Sequence, residues 1–87
     1  MEITIEWTEE DVEHIGRHGI TPLEVEELLC SKIYRKKRGA YLDLLGKTKS
    51  DRILFVVLER LEAYRYRIAI ARPATSTEKD LYVRRGK

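Results

Sequence analysis

The sequence predicts an α+β fold with the element order β-α-α-β-β-β-β-α, and three observations lead to it. Short runs of β-branched and aromatic residues, of which 53–58 is the clearest, are separated by polar turns and predict sequential strands. Helix-capping signals precede these strands and also follow them. Short turns between sequential strands predict a four-stranded antiparallel meander sheet, and we expect the helices packed on one face. The 87 residues have room for a single domain, 1–87.

The first third of the chain predicts one strand and two helices. Residues 2–7 alternate isoleucine with polar side chains, as in a half-buried strand at a sheet edge. Thr8 is placed as an N-cap before an acidic first turn, and Gly19 as the glycine that ends this helix. Residues 21–24, Thr-Pro-Leu-Glu, predict a capping box with proline at the first helical position. We expect this second helix to end near residues 30–31.

The next segment predicts two further strands. Residues 32–38 hold five basic residues in seven, a pattern typical of an edge strand protected from aggregation by its charges. Gly39 allows a turn into the strand 41–45. Alternation along this strand predicts that Leu42 and Leu44 face the core and that the other three side chains face away from it.

The hairpin at 52–75 is the predicted site-bearing element. Its charged segment 59–63, Glu-Arg-Leu-Glu-Ala, has the length of a hairpin loop. In the strand after this loop, tyrosines and isoleucines alternate with arginines and alanines. We therefore expect Ile68 and Ile70 in the core and the arginines on the opposite face. Residues 75–78 can cap a last helix.

Charge is divided unevenly along the chain. Residues 1–30 hold nine Asp or Glu and one Arg, whereas residues 31–87 hold sixteen Lys or Arg and six acids. This asymmetry is explained equally well by a basic face that binds a polyanion and by acidic helices that neutralise a basic sheet. The single cysteine, Cys30, cannot form an internal disulfide, and the sequence shows no leader and no apolar run long enough to span a membrane. We expect a cytoplasmic protein.

Metal and cofactor chemistry is not expected. His14 and His18 have the i, i+4 spacing of two ligands on a helix, but Ile15 stands where the zincin motif needs a glutamate. The sequence contains no glycine-rich phosphate loop and no nucleophile elbow. Cys30 has no neighbouring basic group to activate it, so we interpret it as a small buried thiol. We predict no metal site and no cofactor.

Six arginines are candidates for an RNA surface. Arginines at alternate positions of a strand project from one face, where they can hold phosphates while nearby tyrosines stack on bases. The competing interpretation is a solvated face whose arginines cover apolar surface and pair with Glu59 and Glu62. The residues alone leave both interpretations open. The six are Arg35, Arg38, Arg52, Arg65, Arg67 and Arg72.

Several short motifs, taken together, resemble the BrnT family, the toxin components of type II toxin–antitoxin modules. The resemblance covers nearly the whole chain. Its most specific part is the closing pattern ARPAT-x-x-E-x-x-x-Y at 71–82. Arg67-x-x-x-Ala71 leads into this pattern, and the other pieces are Glu6-Trp7, His18-Gly19-Ile20, Glu26-Glu27, Gly46-x-Thr48 and Arg52-x-Leu54-x-Val56-Val57.

The resemblance implies a RelE-like fold and a metal-independent endoribonuclease. In that reaction the RNA 2′-hydroxyl attacks the adjacent phosphate, which needs a base, an acid and cations around the phosphorus. The resemblance also implies RNA and a cognate antitoxin as partners, and a homodimer stays open. Arg67, Arg72 and Arg52 carry over by matched position, and His18 matches the HG turn.

Two departures from the family pattern bear on catalysis. The chain has Ala40-Tyr41 where BrnT sequences commonly carry Glu-Arg, and its first helix is acidic where the family's is often rich in lysine. The missing carboxylate removes the most natural general base and leaves Asp43, Tyr41 or a histidine as substitutes. The alternative hypothesis is therefore a non-catalytic protein-interaction module, antitoxin-binding or homodimeric, that retains the fold without cleavage.

The candidate site residues fall into two groups, catalytic and RNA-binding. For two of the residues a structural role is an alternative. Arg72 can instead pair with Glu78, and His18 can instead close the C-terminal end of the first helix. The candidate catalytic residues are Arg72, Arg67, His18 and Asp43. The candidate RNA-binding residues are Arg35, Arg38, Arg52, Arg65 and Tyr41.

Overall fold

The element order β-α-α-β-β-β-β-α predicted from the sequence is the order in the structure. The computed structural model describes residues 3–85. Glu2, where the first predicted strand begins, lies outside the described residues, and that strand is shorter than expected. The elements are β1 (Thr4–Ile5), α1 (Glu9–Gly16), α2 (Pro22–Leu29), β2 (Tyr34–Arg38), β3 (Tyr41–Lys47), β4 (Ile53–Glu62), β5 (Arg65–Pro73) and α3 (Ser76–Arg85).

The sheet is mixed, and the predicted four-stranded antiparallel meander describes only part of it. Across residues 3–85 the strand order is β1-β5-β4-β3-β2, with β2 to β5 antiparallel as expected. The fifth strand, β1, runs parallel to β5 at the edge that the meander leaves open. The amide of Thr4 donates to the carbonyl of Tyr64 at 2.8 Å, and that of Glu6 donates to the carbonyl of Tyr66 at 2.8 Å. Sequence periodicity identifies β1 but does not reveal its partner.

Both N-terminal helices begin at the predicted caps. The Thr8 hydroxyl accepts a hydrogen bond from the amide of Asp11 at 3.0 Å. Thr21 and Glu24 form the reciprocal capping box, with bonds of 3.1 and 3.2 Å. α1 ends at Gly16, earlier than predicted, and Gly19 supplies the positive φ of 72° in the turn that follows. These caps satisfy amides that have no partner inside a helix, which is why they locate the helix starts.

One face of the sheet, which we call the core face, packs against α1 and α2. Ile15 from α1 and Val25 and Leu28 from α2 are buried there against leucines, valines and isoleucines of β3, β4 and β5. At Gly46 of β3 a Cβ atom would lie 2.5 Å from Leu28 Cγ, so glycine permits the close approach of α2. Cys30 caps the end of α2 and is exposed, so the expectation of a buried thiol is wrong.

The opposite face of the sheet, which we call the open face, is partly covered by α3. Leu45 and Phe55, which are paired in register across β3 and β4, line a small cavity with Leu81 of α3. The hydroxyl of Tyr82 donates to the carbonyl of Lys32 at 2.9 Å. The prediction that the helices pack on one face is therefore wrong, because the apolar side chains on the open face need a cover of their own.

The hairpin between β4 and β5 has a tighter turn than predicted. Residues 59–63 were expected to form the loop, but β4 continues through Glu62. Ala63 and Tyr64 alone connect the strands, and Ala63 has a φ of 37°. The charged residues of the expected loop therefore belong to the sheet, with a second register shift between Arg60 and Glu62.

A β-bulge changes which side chains of β5 face the core. The register shifts between Val57 and Leu58, because Val57 pairs with Ile70 whereas Leu58 pairs with Ile68, and Ala69 is the extra residue. Ile68 is buried on the core face as predicted, but Ile70 lies on the open face with 45% of its surface exposed. The expectation that both isoleucines hold the core is therefore wrong.

Candidate nucleic-acid interface

The bulge in β5 brings two of the candidate arginines onto the open face. Arg67 and Arg72 are five residues apart and would point to opposite faces of a regular strand. In the β4–β5 register Arg67 lies opposite Glu59 and Arg72 lies opposite Phe55, and these two residues of β4 are four positions apart. Both arginines therefore project from the open face, as the sequence hypothesis of an arginine-bearing face requires.

Four polar side chains cross the open face in a single row. Arg38 of β2 pairs with Tyr41 of β3, Tyr41 pairs with Glu59 of β4, and Glu59 pairs with Arg67 of β5. Paired residues of antiparallel strands lie about 4.5–5.5 Å apart at their Cβ atoms. The row therefore brings two cations, a phenol and a carboxylate together near the hairpin end of the open face.

A groove of about 480 Å³ separates this row from α1, and we call it the α1 groove. Its sheet side includes Tyr41, Glu59 and Arg67. Its helix side comes from residues one turn apart, which share one face of α1 or the turn after it. These are Glu10, Asp11, Glu13, His14 and Arg17.

Arg67 is loosely held in the α1 groove. Its Nη2 atom lies 3.4 Å from Asp11 Oδ1, and half of its side chain is exposed. The other carboxylate oxygen of Asp11 is buried and has no hydrogen-bond partner among the described residues. Arg67 therefore lies beside Asp11 without being tightly bound by it, because its one contact there is long and half of its side chain is exposed.

Glu59 is the groove residue that sequence reasoning missed as a site candidate. It is half-buried, and within residues 3–85 its side chain makes no hydrogen bond or ion pair, although it lies opposite Arg67 in register. The sequence pattern predicts a loop at this position, with Glu59 as a charge partner for arginines. The signal that could have found it is the alternation from Phe55 and Val57 to Glu59, which continues the open face by one more step.

Arg72 is much more tightly held than Arg67. Its two terminal nitrogens donate to both carboxylate oxygens of Glu78 at 2.8 and 2.9 Å, and its guanidinium carbon lies 4.4 Å from the centre of the Phe55 ring. Glu78 also accepts from the amide of Thr75 at 2.9 Å and so completes the N-terminal cap of α3. The hydrogen bonds from Arg72 lower the pKa of Glu78 below its ordinary value, with a smaller contribution from Thr75.

Asp43 is also held by an arginine, Arg38. Arg38 donates to both of its carboxylate oxygens at 2.7 and 2.8 Å, and 18% of the Asp43 side chain is exposed. The same guanidinium lies 5.8 Å from the centre of the Tyr41 ring. Because both carboxylate oxygens of Asp43 already accept hydrogen bonds from Arg38, Asp43 is less available to a substrate than Glu59.

The other predicted site residues lie away from the α1 groove or at its margin. Arg52 binds Glu24 at 2.7 Å and the Gly19 carbonyl at 3.1 Å, which ties β4 to the start of α2. Arg65 pairs with Glu6 and Glu62, and its hydrogen bond lowers the pKa of Glu6. Arg35 pairs in register with Leu44 on the core face, and His18 lies in the turn after α1 with its ring 6.0 Å from that of His14.

The described residues offer neither a metal cluster nor a membrane-spanning helix. Residues 3–85 contain no group of three or more His, Cys, Asp or Glu side chains placed to hold a metal ion. Among the helices of the same residues, none has the length and apolar character needed to cross a membrane.

The fold is similar to that of a toxin of known structure. The crystal structure of the Brucella abortus ribonuclease toxin, BrnT, determined at 1.1 Å resolution, superimposes on this chain with a TM-score of 0.59 and 19% sequence identity. The similarity covers 87% of this chain and 99% of that one. No protein-family model and no curated protein matches the sequence. The chain therefore has a BrnT-like toxin fold, as the resemblance implied, at a sequence identity that supports the fold alone.

Proposed function

We propose that this chain is a BrnT-like toxin or toxin-related protein that binds RNA and cleaves it as a metal-independent endoribonuclease. The observation that carries the proposal is the α1 groove, where Glu59, Arg67, Tyr41 and His14 line one open space in a chain with a BrnT-like fold. These side chains supply a carboxylate, a guanidinium, a phenol and an imidazole. Transfer of a phosphate to the RNA 2′-hydroxyl calls for these kinds of group.

The proposed reaction uses the RNA itself as the nucleophile. Glu59 takes the proton of the 2′-hydroxyl, whose oxygen then attacks the adjacent phosphorus. Arg67 donates hydrogen bonds to the phosphate oxygens as charge develops on them. The bond to the 5′-oxygen breaks, and His14 supplies the proton to this leaving oxygen, because imidazole is well suited to proton transfer near neutral pH. The products are a 2′,3′-cyclic phosphate and a 5′-hydroxyl end.

The contacts on the open face favour these assignments over those made from the sequence. Arg67 replaces Arg72 as the main phosphate-stabilising residue, because Arg72 is held bidentately by Glu78 whereas Arg67 is half exposed. Glu59 replaces Asp43 as the base, because Asp43 is held by Arg38. We assign a structural role on the open face to Arg72, which binds Glu78, and to Asp43, which binds Arg38. His18 and Arg52 keep supporting roles at the turn after α1 and the start of α2.

The proposal is tested by identifying the chemical ends that cleavage leaves on the RNA products. Purified protein is incubated with a labelled single-stranded RNA in buffer containing EDTA, and the ends of the products are identified by mass spectrometry. We expect 2′,3′-cyclic phosphates, and no cleavage of a matched substrate with one 2′-deoxy nucleotide at the cut. Intact RNA at protein concentrations far above those of the substrate would refute the enzymatic proposal, as would a 3′-hydroxyl product.

A second candidate function is a non-catalytic interaction module with the same fold. The observation that favours it is the charge of the α1 groove, whose lining holds four carboxylates against two arginines. Such a lining repels a polyanion unless cations elsewhere attract it. The partner in this case is a cognate antitoxin or a second copy of the chain. Co-purification with the product of an adjacent reading frame, together with intact RNA in the cleavage assay, would select this candidate. Both candidates are proposed to act in the cytoplasm.

A further inference from the structure

We infer that a second groove holds the unpaired RNA segment next to the cleaved bond, so that binding and chemistry lie on either side of Tyr41. This inference rests on the proposed function. The second groove, which we call the hairpin-end groove, has a volume of about 570 Å³ and lies where the β2–β3 and β4–β5 hairpins turn. The basic and aromatic residues that line it are Arg35, Lys37, Arg60, Tyr41, Tyr64 and Tyr66.

The charge of the hairpin-end groove is opposite in character to that of the α1 groove. Three cations line it, and among the described residues its lining contains no carboxylate, whereas four carboxylates line the α1 groove. Glu62, on the neighbouring surface of the hairpin, is paired with Arg65. A phosphate chain is therefore attracted to the hairpin-end groove, which supplies the affinity that the α1 groove lacks.

Exposed aromatic rings give the groove a preference among polyanions. Tyr64 is 60% exposed and Tyr41 is 41% exposed, while Tyr66 packs partly against the core. Nucleic-acid bases stack on such rings with little dependence on sequence, but only when they are not stacked in a duplex. The occupant that fits both the cations and the rings is therefore single-stranded RNA, and a duplex fits poorly.

The groove is built on rigid elements. The Arg60 amide donates to the Ala40 carbonyl at 2.8 Å, and the Arg60 Nε atom donates to the Ala63 carbonyl at 3.2 Å. These two bonds link the turns of both hairpins through one residue. Within residues 3–85 the groove is lined by strands and their turns and by no helical residue. A preorganised groove loses little entropy when a ligand binds.

Tyr41 connects the two grooves. It lines both of them, and it stands in the row between Arg38 and Glu59. The strand register places Lys37 and Arg60 on the core side of the sheet and Glu59 on the open face. A strand that leaves the hairpin-end groove therefore passes around the hairpin end of the sheet at Tyr41 before it enters the α1 groove. The placement predicts that nucleotides on one side of the cleaved bond contribute affinity while those at the bond contribute little.

The test measures binding separately from cleavage. The probe is a fluorescein-labelled, fully 2′-O-methylated 12-nucleotide single strand, which cannot be cut, and its anisotropy is followed over a range of salt concentrations. The variant Lys37→Gln/Arg60→Gln is compared with Lys49→Gln/Lys79→Gln, which removes the same charge from exposed positions outside the groove. We expect the slope of log affinity against log salt to fall by about 1.4 in the first variant alone, as for two lost single-strand phosphate contacts.

Tyr64 provides the test of stacking. We expect Tyr64→Ala to weaken single-strand binding about tenfold and Tyr64→Phe to leave it unchanged, because phenylalanine keeps the ring. Thermal unfolding of each variant shows whether the β4–β5 turn is intact. A hairpin duplex of the same length, also fully 2′-O-methylated, is expected to bind more weakly than the single strand.

The outcomes separate this inference from the proposed function. A wild-type protein that cuts and binds RNA, with unchanged binding in the folded groove variants, would overturn the inference and leave the ribonuclease proposal standing. A duplex bound as tightly as the single strand would overturn it as well. Equal binding of polyglutamate, with no effect of Tyr64→Ala, would assign the groove to an acidic polypeptide instead. A wild-type protein that binds no RNA would remove both proposals together.

Discussion

Arg67 and Arg72 lie on the same face of the same strand, and their surroundings differ. Arg72 has two bonds to Glu78 under 3 Å and lies over the Phe55 ring, so both its position and its charge are committed to the start of α3. Arg67 has one contact of 3.4 Å to Asp11 and a half-exposed side chain. The comparison shows that arginines predicted on one sheet face can have different roles: some are held by carboxylates of the fold, and others can bind a ligand. The number and length of the hydrogen bonds to each arginine distinguish the two roles.

Replacement of the groove carboxylate is expected to have the largest effect. In the proposed mechanism Glu59→Gln removes the base but keeps the size of the side chain, so the cleavage rate should fall about 10²- to 10⁴-fold. Asp43→Asn is the matched control on the same face and should slow cleavage much less. Single-turnover rates measured as a function of pH would check this. Equal losses in the two variants would show that neither carboxylate acts as the base.

Removal of Arg67 should give the next largest loss of activity. We expect Arg67→Ala to lower the cleavage rate about 10²- to 10³-fold, since it removes donors to the charge developing on phosphorus. Its thermal stability should stay close to that of the wild type, because the contact with Asp11 is long and partly exposed. A large fall in stability with unchanged cleavage per folded molecule would place Arg67 in the structural class with Arg72.

Arg72→Ala should behave in the opposite way. The change leaves Glu78 without its bidentate partner and weakens the cap of α3, so we expect a loss of about 1–2 kcal/mol in the free energy of unfolding. Cleavage by the folded fraction should change less than in Arg67→Ala. Urea unfolding followed by circular dichroism, combined with rates corrected for the folded fraction, would check both parts. A stability equal to that of the wild type would contradict the structural assignment.

The smallest expected effect is a pH dependence of stability. Arg72 holds the pKa of Glu78 below its ordinary value of 4.5, so folding stabilises the ionised carboxylate. This contribution is complete above about pH 4.5 and is lost as the pH falls through the lowered pKa. The stability difference between wild type and Glu78→Gln should therefore shrink between pH 6 and pH 3. A difference that stays constant over this range would show that the pair does not govern the acid stability of α3.

Much of the fold follows from local sequence signals, and much of the site does not. Thr8 and the Thr21 capping box mark helix starts because each cap acts within four residues of the chain. Leu42 and Leu44 of β3 face the core as their alternation predicts. Arg67 could be selected as a candidate by its matched position in the family resemblance. Glu59 falls in the loop expected at 59–63, and the tight turn at Ala63 and Tyr64 instead leaves it on β4, where it continues the alternation of Phe55 and Val57.

The sequence by itself determined the order of the elements, the helix caps and the basic edge strand β2, because these depend on neighbours along the chain. Tertiary structure alone decided the partner of β1, the face covered by α3 and the bulge at Ala69. That bulge places Arg67 and Arg72 on one face and moves Ile70 out of the core. It could not be read from β5 alone, because a bulge is a mismatch between two strands and exists only when β4 and β5 pair.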